Sequence, residues 1–344
     1  MANVLPEPTA TCSNFLDVLI VGCGNIAGGF DVARAPDALP FTHAGAFKRH
    51  GQYRLFACVD PDEARRHEFM RHWGVPSGHS TMDAVVGSGS RFDVISICSP
   101  TVCHANDVRA ALRLRPRLIF CEKPVTPSAL ETAELIGECE KAGVLLAVNH
   151  TRRWDPEVTR IRRELASGAW GPVRTVVGLY NKGVLNNGSH MIDLLHHLIG
   201  PVSLVATGAP VWDGLPDDPT VPAFLSGPNN IPIQLACGHA GDFALFELQL
   251  VMAQGILTME EGGMIWRERH AIKSPHFRGY RCLDIGERRS CGYSSAMLEA
   301  VTNIREALTS DVQLMSTGRS ALAAQRICGL IKEKANPACS LGDK

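Results

Sequence analysis

The feature that most constrains the fold is the stretch "VLIVGCGNIAGG" at residues 18–29. A short apolar run, "DVLIV" (17–21), stops abruptly at glycines, as a buried parallel strand does. Gly22, Cys23, Gly24, Asn25, Ile26 and Ala27 then read G-x-G-x-x-A. In that pattern Gly22 permits the tight turn and Gly24 lets a pyrophosphate approach the backbone. Ala27 keeps the following helix close to the sheet, and helix N-terminal amides receive the phosphate. The pattern is common by chance, so its weight rests on context.

The context is an alternation of strand and helix. "HAGAFKRH" predicts a helix, "YRLFACV" (53–59) a strand and "DPDEARRHEFMRHW" (60–73) a helix. Asp60 reads as the N-cap of that helix, Pro61 as its first residue and Glu63 as a capping-box acid. "DVISICS" (93–99), "RLIFC" (117–121) and "VLLAVN" (144–149) predict further buried strands. Between them lie helical stretches at "HANDVRAALRL" and "SALETAELIGECEKAG". Such alternation implies a doubly wound, mostly parallel sheet with right-handed crossovers, the Rossmann arrangement. The division is placed at 1–150 for this domain and 151–344 for a second.

The second half changes character. "TRRWDPEVTRIRRELASG" reads as a connecting helix closed by Gly168. "GPVRTVVGLY", "IPIQLACG", "ALFELQLVM" and "GILTMEEGGMIWRERH" read as antiparallel strands. Residues 207–232 are rich in Gly, Pro and Asp and read as a loop. "SAMLEAVTNIREALT" and "GRSALAAQRICGLIKEKA" read as helices. Crowded strands with helices at the ends predict an α+β domain.

At 344 residues the chain suits two domains better than one. A formal net charge of −1 provides no basic field for nucleic acid or an anionic membrane. The twelve cysteines form no C-x-x-C pair, and several sit in apolar runs, so they read as reduced thiols. The start, "MANVLPEPTATCSN", lacks the charged flank and apolar core of a signal peptide, and no run reaches membrane-spanning length. A cytoplasmic protein is expected.

Asp60 ends the second strand, where an acid holds the adenosine ribose of NAD and repels the 2′-phosphate of NADP, so NAD is favoured. Asp60 lies further from Gly22 than the ~20 residues usual for this pattern. "FDVARAPDALPFT" (30–42) reads as the insertion that makes the difference. Glu122, Lys123 and Pro124 follow the strand "RLIFC" at its carboxyl end, the edge where open α/β sheets bind ligands. A lysine there can sit beside the nicotinamide.

Farther on, "LNNGSHMIDLLHHL" (185–198) carries His190, Asp193, His196 and His197. At the helical period His190, Asp193 and His197 share one face and the leucines the other. A solvated face would carry Lys or Glu, so the histidines suit a cleft floor. A zinc site on His190, Asp193 and His197 lacks a recognised ligand spacing, and no metal is expected.

The order of these motifs, G-x-G-x-x-A, "VD", "CSPTVCHANDVRAAL", "EKP", "VNHTRRWDP" and "GSHMIDLLHHLIG", resembles the Gfo/Idh/MocA family of NAD(P)-dependent oxidoreductases. The resemblance covers roughly residues 15 to 335. It implies a Rossmann domain followed by a large, open, mostly antiparallel sheet whose free face makes oligomer contacts, in a homodimer or homotetramer. It implies oxidation or reduction of a secondary alcohol on a sugar, nucleotide sugar or cyclitol.

By the same resemblance Lys123 hydrogen-bonds the reacting oxygen, and His190 shares its acid–base duty. Asp193, Asn186, Arg153 and Lys182 are assigned to substrate, and Arg152 beside Arg153 also faces it. Ser99, Pro100 and Thr101 form the loop under the nicotinamide ribose, with His104 and Glu122 beside the cofactor. The family commonly places an Asp four positions before the helix histidine, where this chain has Asn186. An amide orients a partner but supplies no charge. An NAD-binding sensor of the same fold without turnover is the alternative.

Overall fold

The computed structural model describes residues 15–290 and 292–336. Cys12, Cys291 and Cys339, counted above among the thiols, lie outside the described residues, as does the N-terminal stretch read for a leader. The other nine cysteines are free thiols, and six of the nine are buried, at positions 23, 58, 98, 121, 139 and 328.

The first sheet is built from β1 (Leu16–Val21), β2 (Tyr53–Val59), β3 (Ser77–His79), β4 (Val94–Ile97), β5 (Leu118–Cys121) and β6 (Leu145–Val148). Its order is β3-β2-β1-β4-β5-β6, and every pairing is parallel. Parallel strands covered on both faces need continuous apolar runs, and β4 and β5 are buried at all positions. The covering helices are α1 (His43–His50), α2 (Glu63–Trp73), α3 (Met82–Gly87), α4 (Thr101–Arg113) and α5 (Ala129–Lys141). The chain reverses its strand order between β1 and β4, the crevice where this topology binds ligands.

Two local readings are corrected. The second helix begins at Glu63, and its cap is Asp62, whose side chain accepts from Arg65 N. Asp60 is excluded from capping because its Oδ2 accepts the Cys23 N–H at 2.8 Å and its Oδ1 the Asp62 N–H. The glycine loop also does not run straight into a helix. The segment between Ala27 and α1 is held by Asp31, whose carboxylate accepts from Phe41 N, Thr42 N and Thr42 Oγ1. The first amides of α1 are then consumed within the chain: His43 N on Ile26 O, Ala44 N on Ala27 O and Gly45 N on Thr42 Oγ1. They are not available to a phosphate.

A short 3₁₀ turn (Thr151–Trp154) leads to α6 (Pro156–Ser167), capped by Asp155 and closed by Gly168 in the left-handed region. The second sheet contains β7 (Val173–Tyr180), β8 (Ser203–Thr207), β9 (Ala223–Ser226), β10 (Pro232–Cys237), β11 (Phe246–Met252), β12 (Gly255–Glu260), β13 (Ile265–Lys273), β14 (Arg281–Leu283) and β15 (Glu287–Ser290). Between β7 and β8 runs α7 (Ser189–Ile199), and α8 (Ala296–Thr309) and α9 (Gly318–Ala335) close the chain. The order is β14-β13-β12-β11-β7-β10-β9-β8, with β15 beside β13. All pairings are antiparallel except β10 with β7, which is parallel. That one direction, and strand β9 inside the stretch read as loop, depart from the sequence reading.

One face of this sheet packs on α7 and α9 through Tyr180, Met191, Leu194, Leu195, Leu248 and Cys328. Among the described residues no helix covers the other face, and the burial of β7 and β11 alternates accordingly. Met297, Ala300, Val301 and Ile304 of α8 return to the core of the first sheet. Tyr53 of β2 donates to Val301 O across the same contact.

Candidate active site

The glycine loop presents an open backbone cradle. Gly22 has φ +87, and a Cβ there would lie 2.6 Å from Ser99 N. Gly24 has nothing within 4 Å of the same position. Among the described residues, the N–H groups of Gly24, Asn25 and Ile26 find no acceptor. Unspent loop amides beside an open glycine suit a pyrophosphate. A cavity of about 350 Å³ continues outward from Cys23, Gly24 and Asn25 to Arg65 and Trp73. The buried Asp60 carboxylate lies behind the loop, with Arg65 3.6 Å away. Ala27 is fully buried, as close helix–sheet packing requires. These residues fit a dinucleotide.

At the carboxyl end of β5, Glu122 is not free to face a ligand. Its Oε1 is 2.8 Å from His43 Nε2 and accepts from Asn149 Nδ2 at 2.6 Å. His43 reaches on through Nδ1 to Ser96 Oγ, 2.7 Å away. Burial alone would raise the Glu122 carboxyl, but His43 and Asn149 hold it below its ordinary value. This buried chain ties α1, β4, β5 and β6 together and anchors the backbone that carries Lys123. The Lys123–Pro124 peptide bond is cis. His104, in the first turn of α4, lies between Pro124 O and Ser99 O at 3.0 and 2.8 Å. It therefore braces two loops. Pro100 and Thr101 start α4, and Ser99 donates to Asp107.

Lys123 directs its ammonium toward the second unit. Nζ donates to Asn186 Oδ1 at 2.7 Å and to Asn186 O at 3.0 Å. An ammonium has three donors, so one remains for a ligand. Burial lowers the lysine below its ordinary value and Arg152 lowers it further, while Glu122 and Asp218 oppose this. Asn186 belongs to a π-helical turn, Gly183–Gly188, that runs directly into α7. Such turns recur at functional sites because they aim groups that a regular helix cannot.

His190 follows in the first turn of α7. Its Nδ1 is buried and has no hydrogen-bond partner among the described residues. Burial pushes it well below its ordinary value, and Lys123, Arg152 and His150 act in the same direction. Its surroundings favour the neutral ring. His150, just beyond β6, meets it edge to face with centroids 5.3 Å apart. The His150 Nδ1 lies 3.9 Å from Asp193 Oδ2.

Asp193 and Arg153 find each other. Arg153 Nε lies 2.8 and 3.0 Å from the two Asp193 oxygens, in a pair almost wholly buried. The same guanidinium donates to His197 Nδ1 and Met315 O. Arg152 lies 3.8 Å over the Phe246 ring and donates to Gly262 O. Lys182 has an exposed side chain; its backbone, in the left-handed region, donates to Asp213.

The structure thus brings Lys123, Asn186, His190, Asp193 and Arg153 into one cluster and leaves Lys182 at the surface. Three participants escaped sequence reasoning. His150 and Asn149 end β6 at the same sheet edge that singled out Lys123, and that rule could have found them. Asp218 sits in a stretch whose composition reads only as loop. Among the described residues, no group of three or more His, Cys, Asp or Glu is arranged to hold a metal ion, and no helix is long and apolar enough to cross a membrane.

A parallel sheet ordered in this way, an open amide cradle at its crevice and a half-buried lysine at its edge define a dinucleotide-binding fold with a second, open-sheet unit. Residues 16–150 match the family described as "Oxidoreductase family, NAD-binding Rossmann fold". This first part of the chain is thus similar to the Gfo/Idh/MocA family. It is 33% identical to D-xylose 1-dehydrogenase (NADP(+)) 2 of Haloferax volcanii, over 38% of this chain and 39% of that one. It is 24% identical to D-apiose dehydrogenase of Paraburkholderia graminis, over 74% and 68% of the two chains. The chain spans less than half the length of two curated relatives it matches, 23% and 39%. Levoglucosan dehydrogenase, in complex with NADH and levoglucosan, shares the fold with a TM-score of 0.76 at 14% identity, over 93% of this chain and 97% of that one.

Proposed function

We propose that this protein is an NAD-dependent dehydrogenase that exchanges a secondary alcohol for a ketone on a sugar, nucleotide sugar or cyclitol. The observation that carries the reading is Lys123. It is a half-buried lysine at the ligand-binding sheet edge, lowered in pKa, with two donors on Asn186 and one left over. The bound nicotinamide would supply the two-electron chemistry. The chain supplies the rest: it binds, orients and moves the hydroxyl proton.

In this reading residues 1–150 hold the dinucleotide and residues 151–344 hold the substrate. Gly22, Gly24, Asn25, Ile26 and Ala27 form the phosphate cradle. Asp60, at the end of β2 beneath the loop, is assigned to the adenosine-ribose end of the site, where its negative charge favours NAD over NADP. Ser99, Pro100 and Thr101 line the nicotinamide ribose, with His104 bracing their loop from behind. Lys123 Nζ donates to the reacting oxygen and takes up or releases its proton, a role that a lowered lysine pKa suits. His190, held neutral, offers a second hydrogen bond to the same oxygen. Asn186 fixes the lysine from the substrate side. Asp193 and Arg153, each the other's partner, support the pocket from behind, and Lys182 stands at its rim.

The test is nicotinamide absorbance with a panel of aldoses, nucleotide sugars and inositols, with NAD and NADP in parallel. Turnover with a member of the panel, faster with NAD, is expected. Tight NADH binding without turnover on any member would instead indicate a sensor of the same fold.

A further inference from the structure

Position 186 is where the family pattern expects an acid and this chain has an amide. An amide accepts from Lys123 but brings no negative charge to it. The structure shows where a charge stands instead. Asp218, from the segment between β8 and β9, lies directly behind the π-helical turn. Its Oδ1 accepts the Leu185 N–H and its Oδ2 the Asn186 N–H, both at 2.9 Å. Val184 N donates to Pro219 O, so the two segments run alongside each other. Gly183 makes the approach possible, because a Cβ there would fall 2.2 Å from Asp218 Oδ2. Asn186 is therefore gripped through its N–H by a carboxylate while its Oδ1 and O both receive the Lys123 ammonium.

We infer that Asp218 is a positioning residue for Lys123: it fixes the turn that presents both Asn186 acceptors, and it supplies, from directly behind that turn, the negative charge that position 186 lacks. The inference rests on the reading of Lys123 as the acid–base group. Two effects combine. The two charge-assisted hydrogen bonds hold a turn whose geometry a regular helix would not keep. The carboxylate, half-buried, is poorly screened by salt and favours the charged lysine. The other groups facing Lys123 are Glu122 beside it, Arg152 and His150 beyond β6, His190 on α7 and Cys328 on α9. Lys332 of α9 faces Asp218 itself, with Nζ 3.7 Å from Oδ1.

The test follows the Lys123 ammonium in the full chain labelled with ¹³C at lysine Cε, with Lys123→Met identifying its resonance. Asp218→Asn should lower the Lys123 titration midpoint and leave NADH affinity within about twofold of wild type. Asn186→Asp added to Asp218→Asn should bring the midpoint back up, because the charge is restored without the cap. With a polyol that turns over, Asp218→Asn should lower kcat by roughly tenfold or more and change KM less. Asp217→Asn, on the exposed neighbour, should change neither.

A folded, NADH-binding Asp218→Asn variant with the wild-type midpoint and wild-type kcat overturns the inference. If Asp218→Asn does not fold, Lys332→Gln carries the test. Removing that cation should raise the Lys123 midpoint, and an unchanged midpoint would contradict the coupling. An active Lys123→Met would remove the underlying reading. An inactive Lys123→Met beside an unaffected Asp218→Asn removes only the inference.

Discussion

Replacing Asp193 with alanine removes the sole carboxylate paired with Arg153 among the described residues. The two face each other at 2.8 Å with side-chain exposures of 11% for Arg153 and 2% for Asp193. At an effective dielectric of ~20, that separation corresponds to about 6 kcal/mol of attraction, part of which offsets desolvation. Removing one partner leaves a buried guanidinium with only His197 Nδ1 and Met315 O to accept from it. Breaking such a pair costs about 3–5 kcal/mol, or roughly 10 °C in Tm for a chain of this size. Asp193→Asn, which keeps an acceptor, should lose less. The assay is thermal unfolding by circular dichroism, with substrate KM measured on the soluble fraction. A Tm within about 2 °C of wild type together with a raised KM would refute the reasoning and place Asp193 on the substrate instead.

Other outcomes follow from the same geometry. Gly24→Ala should leave Tm unchanged, since nothing lies within 4 Å of the new methyl group, yet weaken NADH binding by roughly tenfold or more by closing the cradle. Undiminished affinity in fluorescence titration would contradict that placement. Gly22→Ala should cost stability as well, because its Cβ meets the Ser99 and Cys98 backbone. His197 is lowered to about 4, chiefly by burial and then by Arg153. The unfolded chain takes up this proton below its ordinary 6.5 and the folded chain does not until about 4, so stability falls as pH drops through that window. The loss at pH 5 is about 2 kcal/mol. Urea midpoints measured between pH 7 and pH 5 should show it, and His197→Gln should flatten the slope; an equal slope in that variant would exclude His197 as the source.

Much of the fold was legible because parallel strands buried on both faces write continuous apolar runs. The helices at 43–50 and 318–335 have the predicted limits, each closed by local capping at Thr42 or Thr317. The readings that failed were settled by distant partners. Asp60 and Asp62 both look like caps in "DPDE", and the glycine loop decides between them by claiming Asp60 through Cys23 N. The direction of β10 is invisible in its alternation, which is the same for parallel and antiparallel pairing. Lys123 was legible because it ends a buried strand at a sheet edge. Glu122 shared that position but is spent on His43 and Asn149, from α1 and the end of β6. Asp218 acts across a turn 32 residues from Asn186 in sequence, and no local pattern announces it.

The central claim is that Lys123 moves the substrate proton and does not hold the dinucleotide. The direct measurement is NADH binding and steady-state turnover of Lys123→Ala beside wild type, on the polyol panel. NADH affinity within about threefold of wild type and a kcat at least a hundredfold lower on every active substrate are expected. A variant that binds NADH and turns over at the wild-type rate would contradict the claim.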